Sequence, residues 1–176
     1  MENQKAQAKK PILNYGILLG IVSIVLGVIM YVTNNHLEPG IVFAVLGFLI
    51  LIAIITMAIK AYKKDNGGYL SLGEALKVGV GTAVIGALIS AVWMFILITF
   101  IEPDYMAQVM ELQQEKMVEM NPNMTDAQIQ SAMDISSKFS SPWIITAFAI
   151  LQNLFFGFII ALVAGLIMKK ENPYKS

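Results

Sequence analysis

Residues 71–101 read SLGEALKVGVGTAVIGALISAVWMFILITFI. The opening Ser71-Leu72-Gly73-Glu74 puts a hydroxyl at the N-cap and a carboxylate three positions later, the spacing of a capping box. From Val78 to Ile101 no side chain is ionisable, and at 1.5 Å per residue that stretch reaches about 36 Å, enough to cross a hydrocarbon core of about 30 Å. Glu74 and Lys77 fall in the entering turn, at headgroup level, and Glu102-Pro103 ends the run. The segment predicts a helix from about Leu72 with a transmembrane span over 76–101.

Working outward, three further stretches have the same character. Residues 12–33 carry no ionisable side chain. The run follows Lys5, Lys9 and Lys10 but exceeds the apolar region of a signal peptide and lacks a small-residue cleavage site, so it is expected to stay as an anchor. After a tight turn at 34–39, residues 40–59 form a second uncharged span, antiparallel to the first. Residues 60–68 are expected to be a charged, Gly-ended loop. Residues 142–168 form the fourth span, with Ser141 as cap and Pro142 at the first helical position, where a missing N–H costs nothing. The fold class is therefore an all-α membrane protein of four transmembrane helices, read as one domain over 1–176.

Composition agrees. Of 176 residues, 57% are hydrophobic and 14% charged, against roughly half and a quarter in soluble domains. The 12 basic residues are all lysine, so guanidinium recognition of phosphate is absent and no nucleic-acid partner is expected. Zero cysteine and one histidine, His36, remove thiolate chemistry and leave no imidazole pair for zinc. No cofactor and no metal are expected.

Charge sets the expected orientation, because short lysine-rich segments stay cytoplasmic. The N-terminal segment, the middle loop with the turn after it, and the C-terminal segment hold ten lysines against Glu2, Asp65, Glu74 and Glu171, a net +6. The first turn and the segment 102–141 hold Lys116 and Lys138 against eight carboxylates, a net −6. Both termini are expected in the cytoplasm. Tyr15, Tyr62, Tyr69 and Tyr174 then fall at the inner boundary and Tyr31, Tyr105 and Trp143 at the outer, where amphipathic rings are favoured.

Helices in lipid approach closely through small residues four apart. The third span has Gly79, Ala83, Ala87 and Ala91 in one row, flanked by Thr82, Gly86 and Ser90; the fourth has Gly157, Ala161 and Gly165, and the first has Gly16 and Gly20 with Ser23 and Gly27. Contact between the third and fourth spans is expected. These rows are read as packing within the bundle rather than as a dimer interface or a pore wall. Gln152 and Asn153, mid-way along the fourth span, need hydrogen-bond partners; Thr82, Ser90 or Thr56 are the expected ones, as interhelical glue rather than as a substrate contact.

Segment 102–141 is too polar to cross. Met106, Val109, Met110, Met117 and Met120 recur at helical spacing before a break at Asn121-Pro122-Asn123, and Thr125-Asp126-Ala127-Gln128 is a second capping box. It opens a helix with Ile129, Ala132, Met133 and Ser136 on one side. An extracytoplasmic helical hairpin is expected, acidic outside with a methionine seam. Six of the 11 methionines lie here, at 106, 110, 117, 120, 124 and 133. Thioethers ligate Cu(I), but methionine at helical spacing is read as an adaptable packing or partner surface, formed by Met106, Met110, Met117, Met120 and Met133.

No catalytic constellation stands out. The glycines near Lys77 lack P-loop spacing, Glu74 with Lys77 reads as a cap and its neighbour, His36 as a solvated loop residue, and Glu102 with Asp104 as wet acidic surface. Residues 60–69 (KAYKKDNGGY), 71–79 (SLGEALKVG) and 101–105 (IEPDY) resemble a bacterial four-helix membrane family known as domain of unknown function 4199. The likeness covers nearly the whole chain. It implies four spans in the bacterial cytoplasmic (inner) membrane, and no known activity. The expectation is a non-enzymatic scaffold or accessory subunit, embedded in the lipid bilayer, whose external hairpin meets a membrane-protein partner or a second copy. The alternative is a small oligomeric transporter or channel lined by the small-residue face of the third span.

Overall fold

The computed structural model describes residues 8–173; Glu2, Lys5, Tyr174 and Lys175, which enter the charge and tyrosine readings, lie outside them. Among the described residues six helices follow one another: α1 (Lys9–Val32), α2 (Ile41–Asp65), α3 (Leu72–Ile96), α4 (Tyr105–Met120), α5 (Asp126–Phe139) and α6 (Pro142–Met168), with α3 continuing through one π-helical turn at Leu97–Ile101. Four of these are long and apolar enough to cross a membrane: Lys9–Val32, Ile41–Asp65, Leu72–Ile101 and Pro142–Met168. The chain is a multi-pass, all-helical membrane protein.

Local chemistry sets the helix ends. Ser71 and Glu74 form both bonds of the capping box, with Glu74 N–H donating to Ser71 Oγ at 3.3 Å and Ser71 N–H to Glu74 Oε2 at 2.9 Å. Thr125 and Gln128 form the second. Ile144 N–H donates to Ser141 Oγ at 3.3 Å, and Pro142 occupies the first turn of α6. One boundary differs from the sequence reading: residues 60–65 are helical, not loop. Nothing before Gly67 can break α2, and lysine stems lie along a helix while their ammonium groups reach water. The stop is Gly67 at φ +66, a left-handed conformation glycine adopts without strain, followed by Gly68 N–H donating to Lys63 O at 2.9 Å, as in a Schellman motif.

The most extensive packing joins α3 to α1 and to α6, and α2 lies against all three. The dry core sits at the end of the bundle where the described termini meet: Ile55, Ala58, Ile59, Leu70, Ala75, Val78, Ala83 and Ala161 are fully buried. Leu70 and Lys170 exchange backbone hydrogen bonds of 2.8 and 2.9 Å there, and Lys63 Nζ donates to Met168 O at 2.7 Å. The opposite, distal end is looser. α2 buries Leu51, Ile54, Ile55, Ala58, Ile59 and Tyr62 in its second half but exposes Ile41, Val42, Val45, Leu46 and Leu49 in its first.

Candidate functional site

Small residues on α3 and α6 meet in antiparallel register. A Cβ on Gly79 would stand 2.4 Å from Ala161 Cβ, one on Gly157 2.5 Å from Ala83 Cβ, and one on Gly165 2.8 Å from Ala75 Cβ. Glycine is therefore required at each contact, because the opposing atom is a methyl carried directly on a backbone. The other side of α3 receives α1: Cβ atoms on Gly16, Gly20 and Gly27 would meet Ile85, Ile89 and Trp93 at 2.5, 2.5 and 2.6 Å. Gly79, Ala83, Gly157, Ala161 and Gly165 thus lie in the closed part of the α3–α6 seam.

Beyond Ala83 the seam opens. Ala87 and Ala91 line a cavity of about 500 Å³ at the distal end of the bundle, with Gly27 and Met30 from α1, and Ile145, Ala149, Gln152 and Asn153 from α6. Trp93 and Tyr105 add aromatic wall, and His36 lines it from the α1–α2 turn. The hydroxyls expected to pair with Gln152 and Asn153 do not. Thr82 Oγ1 donates to Val78 O and Ser90 Oγ to Gly86 O, and Asn153 Nδ2 likewise donates to Ala149 O, at 2.8, 2.9 and 2.9 Å. The carbonyl four residues back is always within reach of such a side chain, so these groups are satisfied within their own helices. The Gln152 amide makes no hydrogen bond among the described residues.

His36 is not solvated. Its side chain is 11% exposed and Glu102's 16%, with His36 Nε2 2.8 Å from Glu102 Oε2. The contact is short enough for an ion pair but lacks hydrogen-bond alignment, and His36 Nδ1 is buried without a partner. Gln108 Nε2 donates to Glu102 Oε1 at 2.9 Å. Tyr31 meets the imidazole edge-on at 5.0 Å between centroids, and Tyr105 lies at 6.1 Å. Burial, and then the Glu102 carboxylate, push the Tyr105 phenol above its ordinary value. The π-helical turn, closed by Glu102 N–H donating to Leu97 O at 2.8 Å, precedes Glu102 directly; such turns occur often at functional sites. A carboxylate ending one span and an imidazole in the turn joining two others lie at the same level, which is the one signal in the sequence for this pair.

Of the methionines on α4 and α5, Met133 is 9% exposed, Met106, Met110 and Met117 are half-buried, and Met120 is 76% exposed. The two helices touch, and Ser136 Oγ donates to Gln113 Oε1 at 2.7 Å. Lys116 pairs with Glu38 of the α1–α2 turn.

No curated protein and no solved structure matches the chain. A family described as Protein of unknown function (DUF4199) matches over residues 14–170, a range that takes in most of α1, the whole of α2 to α6 and the three short motifs at 60–69, 71–79 and 101–105. The chain belongs to that DUF4199 family of proteins of unknown function.

Proposed function

We propose that the protein is a non-enzymatic accessory or scaffold component of a bacterial cytoplasmic membrane, with both termini cytoplasmic and the α4–α5 pair outside, as a helical hairpin that meets a partner or a second copy. The observation that carries this reading is the side-chain distribution on that pair. Val118, Met120, Ile135 and Phe139 are 45, 76, 60 and 57% exposed, among Glu111, Glu115, Glu119, Asp126 and Asp134. Apolar side chains rimmed by charge favour contact with another macromolecule, and the acidic rim favours a basic one. The alternative, a small oligomeric transporter lined by the small-residue face of α3, would draw on Ala87 and Ala91 alone, since Gly79 and Ala83 are closed against α6.

In-cell photo-cross-linking from Met120 and Ile135, followed by purification in mild detergent, tests the reading. A discrete cross-linked species, self or other, is expected from both positions and not from Leu88, a lipid-facing residue of α3. A chain that is monomeric and uncross-linked at both positions refutes it.

A further inference from the structure

We propose that the distal cavity binds an uncharged, lipid-soluble molecule whose ring carries a carbonyl or hydroxyl oxygen, the chemistry shared by quinones and hydroxylated isoprenoids. The inference is independent of the partner-binding role of α4 and α5.

Shape comes first. The cavity holds about 500 Å³, within the roughly 300–1,000 Å³ of small-molecule sites. It begins where the Gly79–Ala161 and Ala83–Gly157 contacts end and runs from Ala87 to Leu97, a rise of about 15 Å, half the thickness of a hydrocarbon core. The register that pairs residue 83 with 157 brings Ala87 opposite Asn153 and Ala91 opposite Ala149, and none of these four closes the gap. α2 does not cover it either, since no residue of that helix lines it. An occupant therefore has access from the membrane phase.

Chemistry narrows the class. No lysine, aspartate or glutamate lines the cavity, so a charged ligand would find no counter-charge in a setting where an unpaired charge is costly. His36 is the one basic group in the wall, and Glu102 already faces its Nε2. Among the lining groups without a hydrogen-bond partner are the Gln152 amide, toward the middle of the membrane, and buried His36 Nδ1 at the distal rim. A purely hydrocarbon occupant would leave both unpaired, and a polar group without a partner is destabilising whether it is buried in protein or faces lipid. An oxygen-bearing ring satisfies one or both. Trp93 and Tyr105 supply flat faces against which such a ring stacks.

Trp93 also reports binding. In Trp143→Phe protein, which retains Trp93 as the sole tryptophan, reconstituted in nanodiscs, a decyl-tailed benzoquinone should quench Trp93 fluorescence saturably. n-Decylbenzene, with a flat six-membered ring and the same tail but no oxygens, should fail to displace it. Menthol, an isoprenoid whose ring carries a hydroxyl, serves as the second competitor: displacement assigns the site to hydroxylated isoprenoids as well, and no displacement restricts it to quinones. Gln152→Leu should weaken the quinone roughly three- to tenfold, the effect of one lost hydrogen bond, and Ala91→Phe should abolish saturation by filling the space. Quenching that rises linearly with probe and is the same in both variants is partitioning into lipid and overturns the proposal. So does equal displacement by n-decylbenzene. If Ala91→Phe fails to fold, Gln152→Leu alone decides: unchanged quinone affinity there overturns recognition of the oxygen.

Discussion

Gly79→Ala adds one methyl group to the α3–α6 seam, and its effect follows from distance. The new Cβ would stand 2.4 Å from Ala161 Cβ, 3.2 Å from Ile55 Cγ2 and 3.3 Å from Ala161 Cα. Non-bonded carbons settle at about 3.5–4.0 Å, so the helices must part by about 1 Å, loosening the Ala83–Gly157 and Ala75–Gly165 contacts on either side. Neither Ala161 atom is the end of a flexible side chain that could swing away. Overpacking of this kind costs about 1–3 kcal/mol, and alanine's better helix propensity offsets about 1 kcal/mol of it, leaving a net loss of up to about 2 kcal/mol. Reversible unfolding in mixed micelles, titrated with a denaturing detergent, measures it. Gly73→Ala is the control: nothing lies within 4 Å of that Cβ, so the substitution should be neutral or stabilising. The reciprocal double variant Gly79→Ala/Ala161→Gly moves the methyl across the seam and should recover most of the loss, with a coupling above about 1 kcal/mol, as expected for residues in contact. If Gly79→Ala unfolds together with Gly73→Ala, or the double variant shows no recovery, the seam is not built from these close pairs.

Sidedness and alkaline stability give two further predictions. The chain has no cysteine, so single replacements report topology cleanly: Asn123→Cys should react with a membrane-impermeant maleimide in intact cells and Lys64→Cys only after lysis, and the opposite pattern would invert the proposed orientation. Burial and Glu102 raise the Tyr105 phenol, so the fold favours its neutral form. That contribution is complete below about pH 10, where an unfolded tyrosine ionises, and is lost as pH rises through the folded value. Tyr105→Phe should therefore lose less stability than the unsubstituted chain between neutral pH and the alkaline range, as measured by unfolding; an identical alkaline decline would show that Tyr105 contributes none of it.

Features that depend on residues within a turn or two of each other were legible from the chain alone. The four spans, the caps at Ser71, Thr125 and Ser141, and the rows of small residues all follow from helical periodicity and from hydrogen bonds three or four positions apart. The end of α2 was misjudged by six residues because charge suggested a loop, whereas the backbone continues to the first residue that prefers a left-handed conformation, Gly67. Contact between the third and fourth spans is expected from their small residues, but tertiary structure alone decided its register and that α1 takes the other side of α3, since a small residue marks close approach but not the atom it meets. It decided that Asn153 bonds its own helix, that His36 is buried against Glu102 66 positions away, and that α3 and α6 separate beyond Ala83. Those outcomes depend on how helices cross and where α2 leaves the bundle. A void bounded by three helices is a property of their mutual positions, and no pattern along any one of them specifies it.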